Sequence, residues 1–167
     1  AAPIGGRDRP SPVPGARDSA GVNRDAFIRE AVRMAGESVG LGGGPFGALV
    51  VRDGVIVGRG RNRVTEKRDP TAHAEIEAIR DACLQIGSHQ LAGCDLYASS
   101  EPCPMCLGAI YWARPEAVYF ATGRGDAARA GFDDAFIYDE IGRRPGDRRI
   151  RMHSMVFSGA EEPFRLW

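Results

Sequence analysis

Cys103 and Cys106, three residues apart behind Pro102, are the pair best suited to chemistry in this chain. Proline is tolerated in the opening turn of a helix, where backbone N–H groups are unpaired, so the spacing predicts a helix start with both thiols converging on one point. The positive end of a helix lowers a cysteine's pKa, and thiolate rather than thiol binds metal. A lone CxxC fits a redox pair, half of a structural zinc site, or a catalytic site short of one ligand. His73 and Glu75 decide among these. They open a second predicted helix, with Thr71 as candidate N-cap and Pro70 ahead of it. One imidazole and two thiolates leave a fourth zinc position for water, the mark of a catalytic site. Glu75, two residues past the histidine, carries the carboxylate that moves protons beside such a water.

H-x-E followed later by P-C-x-x-C is the signature of zinc nucleobase deaminases, and spacing, order and the extra glutamate all agree with it here. The competing reading, a structural zinc staple, needs a fourth Cys or His. Cys83 and Cys94 stand outside CxxC spacing, and His89 and His153 have no partner at ligand spacing.

The elements that must hold these residues belong to a chain of 167 residues, enough for one domain with its own core. Lys plus Arg and Asp plus Glu both total 22, so net charge gives no case for binding polyanions. Four cysteines, two of them claimed by the metal, argue for a reducing compartment over a disulfide scaffold. No apolar run approaches the ~20 residues of a membrane span. Residues 1–22, rich in Pro, Gly, Ala and Arg, bury too little to offset their ordering entropy and lack the apolar core of a secretory signal, so they read as a disordered leader.

Asn23 caps a predicted helix with Phe27, Ala31, Met34 and Ala35 at helical spacing, ending near Gly40. Gly42, Gly43, Gly44 and Pro45 break the chain before a strand over Phe46–Val51. No phosphate-loop pattern accompanies these glycines; Asp53-Gly54 instead predicts a tight hairpin turn to a returning strand over Val55–Gly60. Asn62 follows, placed either to meet a substrate or to form a turn. The helix from Ala72 carries Ile76, Ile79, Ala82 and Cys83 on one face, making Cys83 a small core residue. A strand over Leu96–Ser99, the CxxC helix to about Ala113, a strand over Ala117–Ala121 and a last strand over Ile150–Phe157 complete the plan. This is an α/β architecture with the metal between two helix N-termini at one edge of the sheet, where ligand sites belong.

Four blocks carry a closer likeness: Gly44-Pro45-Phe46-Gly47-Ala48, Asp69 through Glu75, Glu101 through Ala113, and Ala130-Gly131-Phe132-Asp133-Asp134. Over residues 23–167 the sequence resembles the cytidine deaminase-like superfamily and, within it, the bacterial guanine deaminases. The first two blocks are shared with tRNA adenosine deaminases; Tyr111-Trp112-Ala113 and Gly131-Phe132-Asp133-Asp134 are what single out the guanine enzymes. The resemblance implies a three-layer α/β/α sandwich around a mixed sheet of about five strands. It implies a zinc-dependent hydrolase acting on a cyclic amidine C–N bond, converting guanine to xanthine and ammonia in cytoplasmic purine breakdown. His73, Cys103 and Cys106 would hold one zinc, and Glu75 would carry protons for attack at C2. Asp134 would accept from the ring N–H and amine edge, Asn62 would contact the purine, Phe46 and Trp112 would form apolar walls, and the Ala74 N–H would lie near the substrate edge. It also implies a homodimer that exchanges its C-terminal segment, about residues 150–167, as a cover for the active site.

Plainer readings stand beside these roles. Asp134 sits where a helix N-cap belongs, Asp133 is a neighbour able to exchange roles with it, and Phe46 and Trp112 fit ordinary core packing. The run Arg143, Arg144, Arg148, Arg149 and Arg151 reads as a solvated surface. Two other functions use the same features. A tRNA adenosine deaminase would share the zinc core and flip a base from RNA. A zinc-stabilised interaction domain would have no use for Glu75. Substrate choice among guanine, cytosine, guanosine and triazines such as ammeline is left open by the residues.

Overall fold

The computed structural model describes residues 23–167, so the leader expected over 1–22 lies outside the described residues. The first helix, α1 (Arg24–Gly40), starts where the sequence predicts, with Asn23 Oδ1 accepting from the Ala26 N–H at 3.1 Å. Strands β1 (Gly47–Arg52) and β2 (Val55–Arg61) form the expected hairpin. Asp53 and Gly54 both take positive φ, 50° and 76°, the conformation that matches the twist of a two-residue hairpin. A short helix, α2 (Val64–Lys67), precedes α3 (Ala74–Ile86), and then come β3 (Cys94–Ser100), α4 (Pro104–Ala113) and β4 (Ala117–Thr122). The chain continues through α5 (Arg124–Arg129), α6 (Ala135–Gly142) and α7 (Glu162–Leu166).

The sheet order is β2-β1-β3-β4, with β1 antiparallel to both neighbours and β3 parallel to β4. Two antiparallel steps leave β2 and β3 pointing the same way. The helices that follow them, α3 and α4, therefore begin at the same edge of the sheet, which is why His73 and Cys103 meet despite 30 residues of separation.

Alternation along the strands divides the core in two. Leu49, Val51 and Tyr97 face α1 through Ala31 and Met34, while Ala48, Val50, Leu96 and Ala98 face Ala74, Ala78 and Ala82 of α3 and Ile110 and Ala113 of α4. Helices on both sides of a mixed sheet make the three-layer sandwich. Gly58 and Gly60 stand on the α3 side of β2, where any side chain would enter the α3 backbone, so the helix lies directly on the strand.

Three expectations are corrected. Among the described residues the sheet has four strands, and Ile150–Phe157 is irregular and exposed, because within one chain it finds no ladder partner at either sheet edge. Thr71 is not the cap of α3: its N–H and hydroxyl both bond to Asp69 Oδ1, forming a turn, and His73 takes the cap position. In α4, Pro104 rather than Pro102 occupies the first turn, with Cys103 at the cap. No helix among the described residues is long and apolar enough to cross a membrane.

Candidate active site

His73 and Cys103 occupy equivalent places, the N-caps of α3 and α4, both in extended backbone conformation. Cys103 Sγ accepts from the Cys106 N–H at 3.5 Å, so a thiolate there satisfies an orphan helix donor and sits at the positive end of the α4 dipole. The Cys103 thiol is pulled down to about 4, first by its hydrogen bond from the Cys106 thiol and further by His73; that same bond and burial push Cys106 up.

The donor set fits zinc. His73 Nδ1 lies 3.5 Å from Cys103 Sγ and 3.5 Å from Cys106 Sγ, and all three donor atoms fall within 4.8 Å of one another. A nitrogen at ~2.05 Å and a sulfur at ~2.3 Å from one tetrahedral ion stand about 3.5 Å apart, so the three side chains need little movement to close on the metal.

Glu75 lies in the first turn of α3, 7 % exposed, with Oε2 accepting from the Cys106 thiol at 3.5 Å. Burial raises its pKa above the ordinary carboxylate range. A carboxyl so placed beside the metal donors, its proton held more tightly than usual, is suited to general acid–base chemistry.

These residues open on a cavity of about 570 Å³, within the range of small-molecule sites. His73, Glu75 and Cys103 line it, together with the Gly42–Gly44 loop and Asn62, with Phe132, Asp133 and Asp134, and with Glu101 and Arg124. Asn62, the residue after β2, is buried and oriented: its Oδ1 accepts from the Gly44 N–H at 3.2 Å and the Val64 N–H at 3.4 Å. Two backbone donors fix which end of the amide is oxygen, leaving the NH2 end as a donor for the cavity. Its carbonyl is held in turn by the hydroxyl of buried Ser38 at 3.1 Å.

Asp134 stands at the cap position of α6 without capping it. Asp133 Oδ1 accepts from the Ala135 N–H instead, at 2.9 Å, so Asp133 binds the helix start while both aspartates line the cavity. Burial, reinforced by Cys103, raises the Asp134 pKa. Phe46 lines the cavity and meets Phe132 edge to face, centroids 5.0 Å apart. Ala74 is buried directly behind His73 and is not part of the lining. Trp112 lies elsewhere: it is 70 % exposed on α4 and outside the cavity within this chain, as is Tyr111. Ser38, Glu101 and Arg124 were given no role by sequence. Glu101 directly precedes the Pro-Cys pair and Arg124 opens α5, with one residue between it and the end of β4, but only the fold shows that they meet.

Residues 22–122 match the family described as the cytidine and deoxycytidylate deaminase zinc-binding region. The chain is 52% identical to the guanine deaminase of Bacillus subtilis (strain 168) over 147 residues, 87% of this chain and 94% of that one. The X-ray structure of guanine deaminase from Bacillus subtilis superposes with a TM-score of 0.85 at 53% identity, covering 87% of this chain and 93% of that one. A tRNA-specific adenosine deaminase of Aquifex aeolicus is 40% identical over 100 residues, 60% of this chain and 66% of that one.

Proposed function

The chain belongs to the cytidine and deoxycytidylate deaminase zinc-binding family, and from that premise we propose that it is a guanine deaminase, a zinc-dependent hydrolase releasing xanthine and ammonia. The observation that carries the reading is the shared cavity. A three-donor metal site with a buried proton carrier faces an aspartate whose carboxyl is not used by its own helix. The family match ends at residue 122, before Asp134, so family membership by itself supplies the chemistry and not the substrate. The likeness to a guanine deaminase over 87% of the chain supports the substrate. The likeness to the tRNA enzyme reaches only 60% of it.

His73, Cys103 and Cys106 would hold the zinc, which when bound would supply a water acidified from its bulk value towards ~7. Glu75 accepts the proton that this water loses as its oxygen bonds to C2 of guanine. The same carboxyl passes that first proton to the ring nitrogen beside C2, then takes the remaining proton of the new C2 hydroxyl and delivers it to the amine, so that C=O forms as the C–N bond breaks and guanine plus water become xanthine plus ammonia. Asp134 accepts from the N–H edge of the base, an edge that cytosine and adenine do not present. The Asn62 amide donates to a ring acceptor, and Phe46, braced by Phe132, covers an apolar face.

We further propose a homodimer in which the C-terminal segment of each subunit covers the other's site. Ile150, Met155, Val156, Phe157, Phe164, Leu166 and Trp167 are all exposed in the single chain, a concentration of bare apolar side chains in one segment that an interface would cover. Light scattering should return twice the chain mass, and truncation before Ile150 should return the monomer.

The function is tested by ammonia release from zinc-loaded protein given guanine, cytosine, adenine, guanosine or ammeline. Turnover of guanine that is lost in Glu75→Gln supports the reading. Inert guanine beside a reacting alternative removes the substrate assignment and leaves the metal chemistry standing.

A further inference from the structure

Asp134 heads α6, yet neither α5 nor α6 contributes a buried residue that would fix this segment on the body of the fold. What ties it down is polar and runs to the metal loop. Glu101, two residues before Cys103, accepts from the Arg124 guanidinium with Oε1 at 2.7 Å and from the Arg124 backbone N–H with Oε2 at 3.1 Å. One carboxylate thus engages both the start of α5 and its first side chain. The same guanidinium lies over the Tyr138 ring, 4.6 Å from its centroid, and Tyr138 is one turn beyond Asp134 on α6. Arg124 therefore touches the metal loop with its edge and the substrate-facing helix with its face.

A pair as open to solvent as this one, with side chains 52% and 23% exposed, adds little to global stability. Its geometry is nonetheless specific, because a planar guanidinium can bond a carboxylate in its plane and stack on a ring with its face, which a lysine cannot do together. The other visible tie, Phe132 against Phe46, constrains the loop before Asp134 but not the helix after it.

We propose that Glu101, Arg124 and Tyr138 form a latch that sets the distance between the metal loop and Asp134, and that all three are positioning residues for recognition of the base. The proposal rests on the guanine deaminase reading for its substrate and on geometry alone for the latch. It makes Arg124, which lines the same cavity, act on the base through the carboxyl of Asp134.

Two readouts on the zinc-loaded full-length chain separate these layers. In steady-state kinetics with guanine, Arg124→Ala should raise KM about tenfold, the worth of one charge-assisted hydrogen bond, with kcat nearly unchanged. Arg124→Lys should recover only part of this loss. Tyr138→Phe should match the wild type because the ring face remains, whereas Tyr138→Leu should resemble Arg124→Ala. In an Asp134→Ala background, Arg124→Ala should cost nothing further, since residues acting through one another are not additive. Amide hydrogen exchange supplies the second readout: residues 130–142 should exchange faster in Arg124→Ala and Tyr138→Leu, with α3 and α4 unchanged. Additive losses in the double variant would mean that Arg124 meets the substrate itself and would overturn the latch. Unchanged exchange over 130–142 would overturn it as well. If the wild-type protein leaves guanine intact, the functional reading fails and the exchange result alone decides the latch.

Discussion

A Cβ placed on Gly60 would stand 2.0 Å from the Ala74 carbonyl oxygen and 2.4 Å from the Ala78 amide nitrogen. Backbone meets backbone there, with no side chain able to yield. Ala74 lies between His73 and Glu75, so this contact sets the height of both a metal ligand and the proton carrier above the sheet. Gly60→Ala must push α3 away from β2. The expected cost is about 1–3 kcal/mol, as for other overpacked cores. Zinc content should fall below one per chain at the same time. Thermal unfolding and metal analysis check both, and a variant with full zinc and unchanged Tm would show that α3 is positioned by other contacts.

Glu75→Gln keeps the shape of the side chain and removes its ability to carry a proton. None of the donor atoms of His73, Cys103 and Cys106 is altered, so the variant should bind zinc as the wild type does. Its kcat on guanine should drop by about 10²- to 10⁴-fold, the usual worth of a positioned acid–base group. Loss of zinc in this variant would instead make Glu75 part of the metal site's structure.

Much of this was legible in the sequence for identifiable reasons. The metal site was, because CxxC and H-x-E are local patterns whose chemistry depends on spacing along one chain. The hairpin was, because Asp53-Gly54 accepts the positive φ that the turn demands. What escaped depends on contacts between distant segments. Periodicity at Ile150–Phe157 reads as a strand, but a strand exists only where a ladder partner does. Trp112 was given a wall role by resemblance alone, and within the single chain its side chain is exposed on α4. The division of labour between Asp133 and Asp134 was invisible because both lie at a helix start, and only geometry shows which carboxyl reaches the Ala135 N–H.

Metal removal should expose a reactive thiol. In the absence of zinc the Cys103 thiol titrates at about 4, so at pH 6 it is thiolate, whereas burial raises Cys83 and Cys94 above the ordinary thiol range and keeps them protonated. Chelator-treated protein at pH 6 should therefore be alkylated by iodoacetamide at Cys103 well before Cys83 or Cys94, and zinc should protect it. Peptide mass spectrometry reads the site. Equal labelling of the three cysteines would contradict the thiolate assignment, and labelling undiminished by zinc would contradict the ligand role.

Asp134 predicts opposite effects on activity and stability. Burial raises its folded pKa above the unfolded value, so the unfolded chain ionises it more readily. Its charge therefore costs the folded state free energy at neutral pH, and that cost disappears as pH falls below the unfolded value of ~3.9. Asp134→Asn retains the shape without the charge. Zinc-loaded Asp134→Asn should melt up to about 3 °C above the wild type at pH 7, with the difference shrinking towards pH 4. On guanine its kcat/KM should fall by about 10- to 100-fold, because an amide offers only one acceptor to the N–H edge and turns a donor towards it. A group selected for stability would show the reverse pattern, losing Tm and keeping turnover. Paired melting curves and initial rates at the two pH values decide whether this carboxyl is held at the cavity at the expense of the fold.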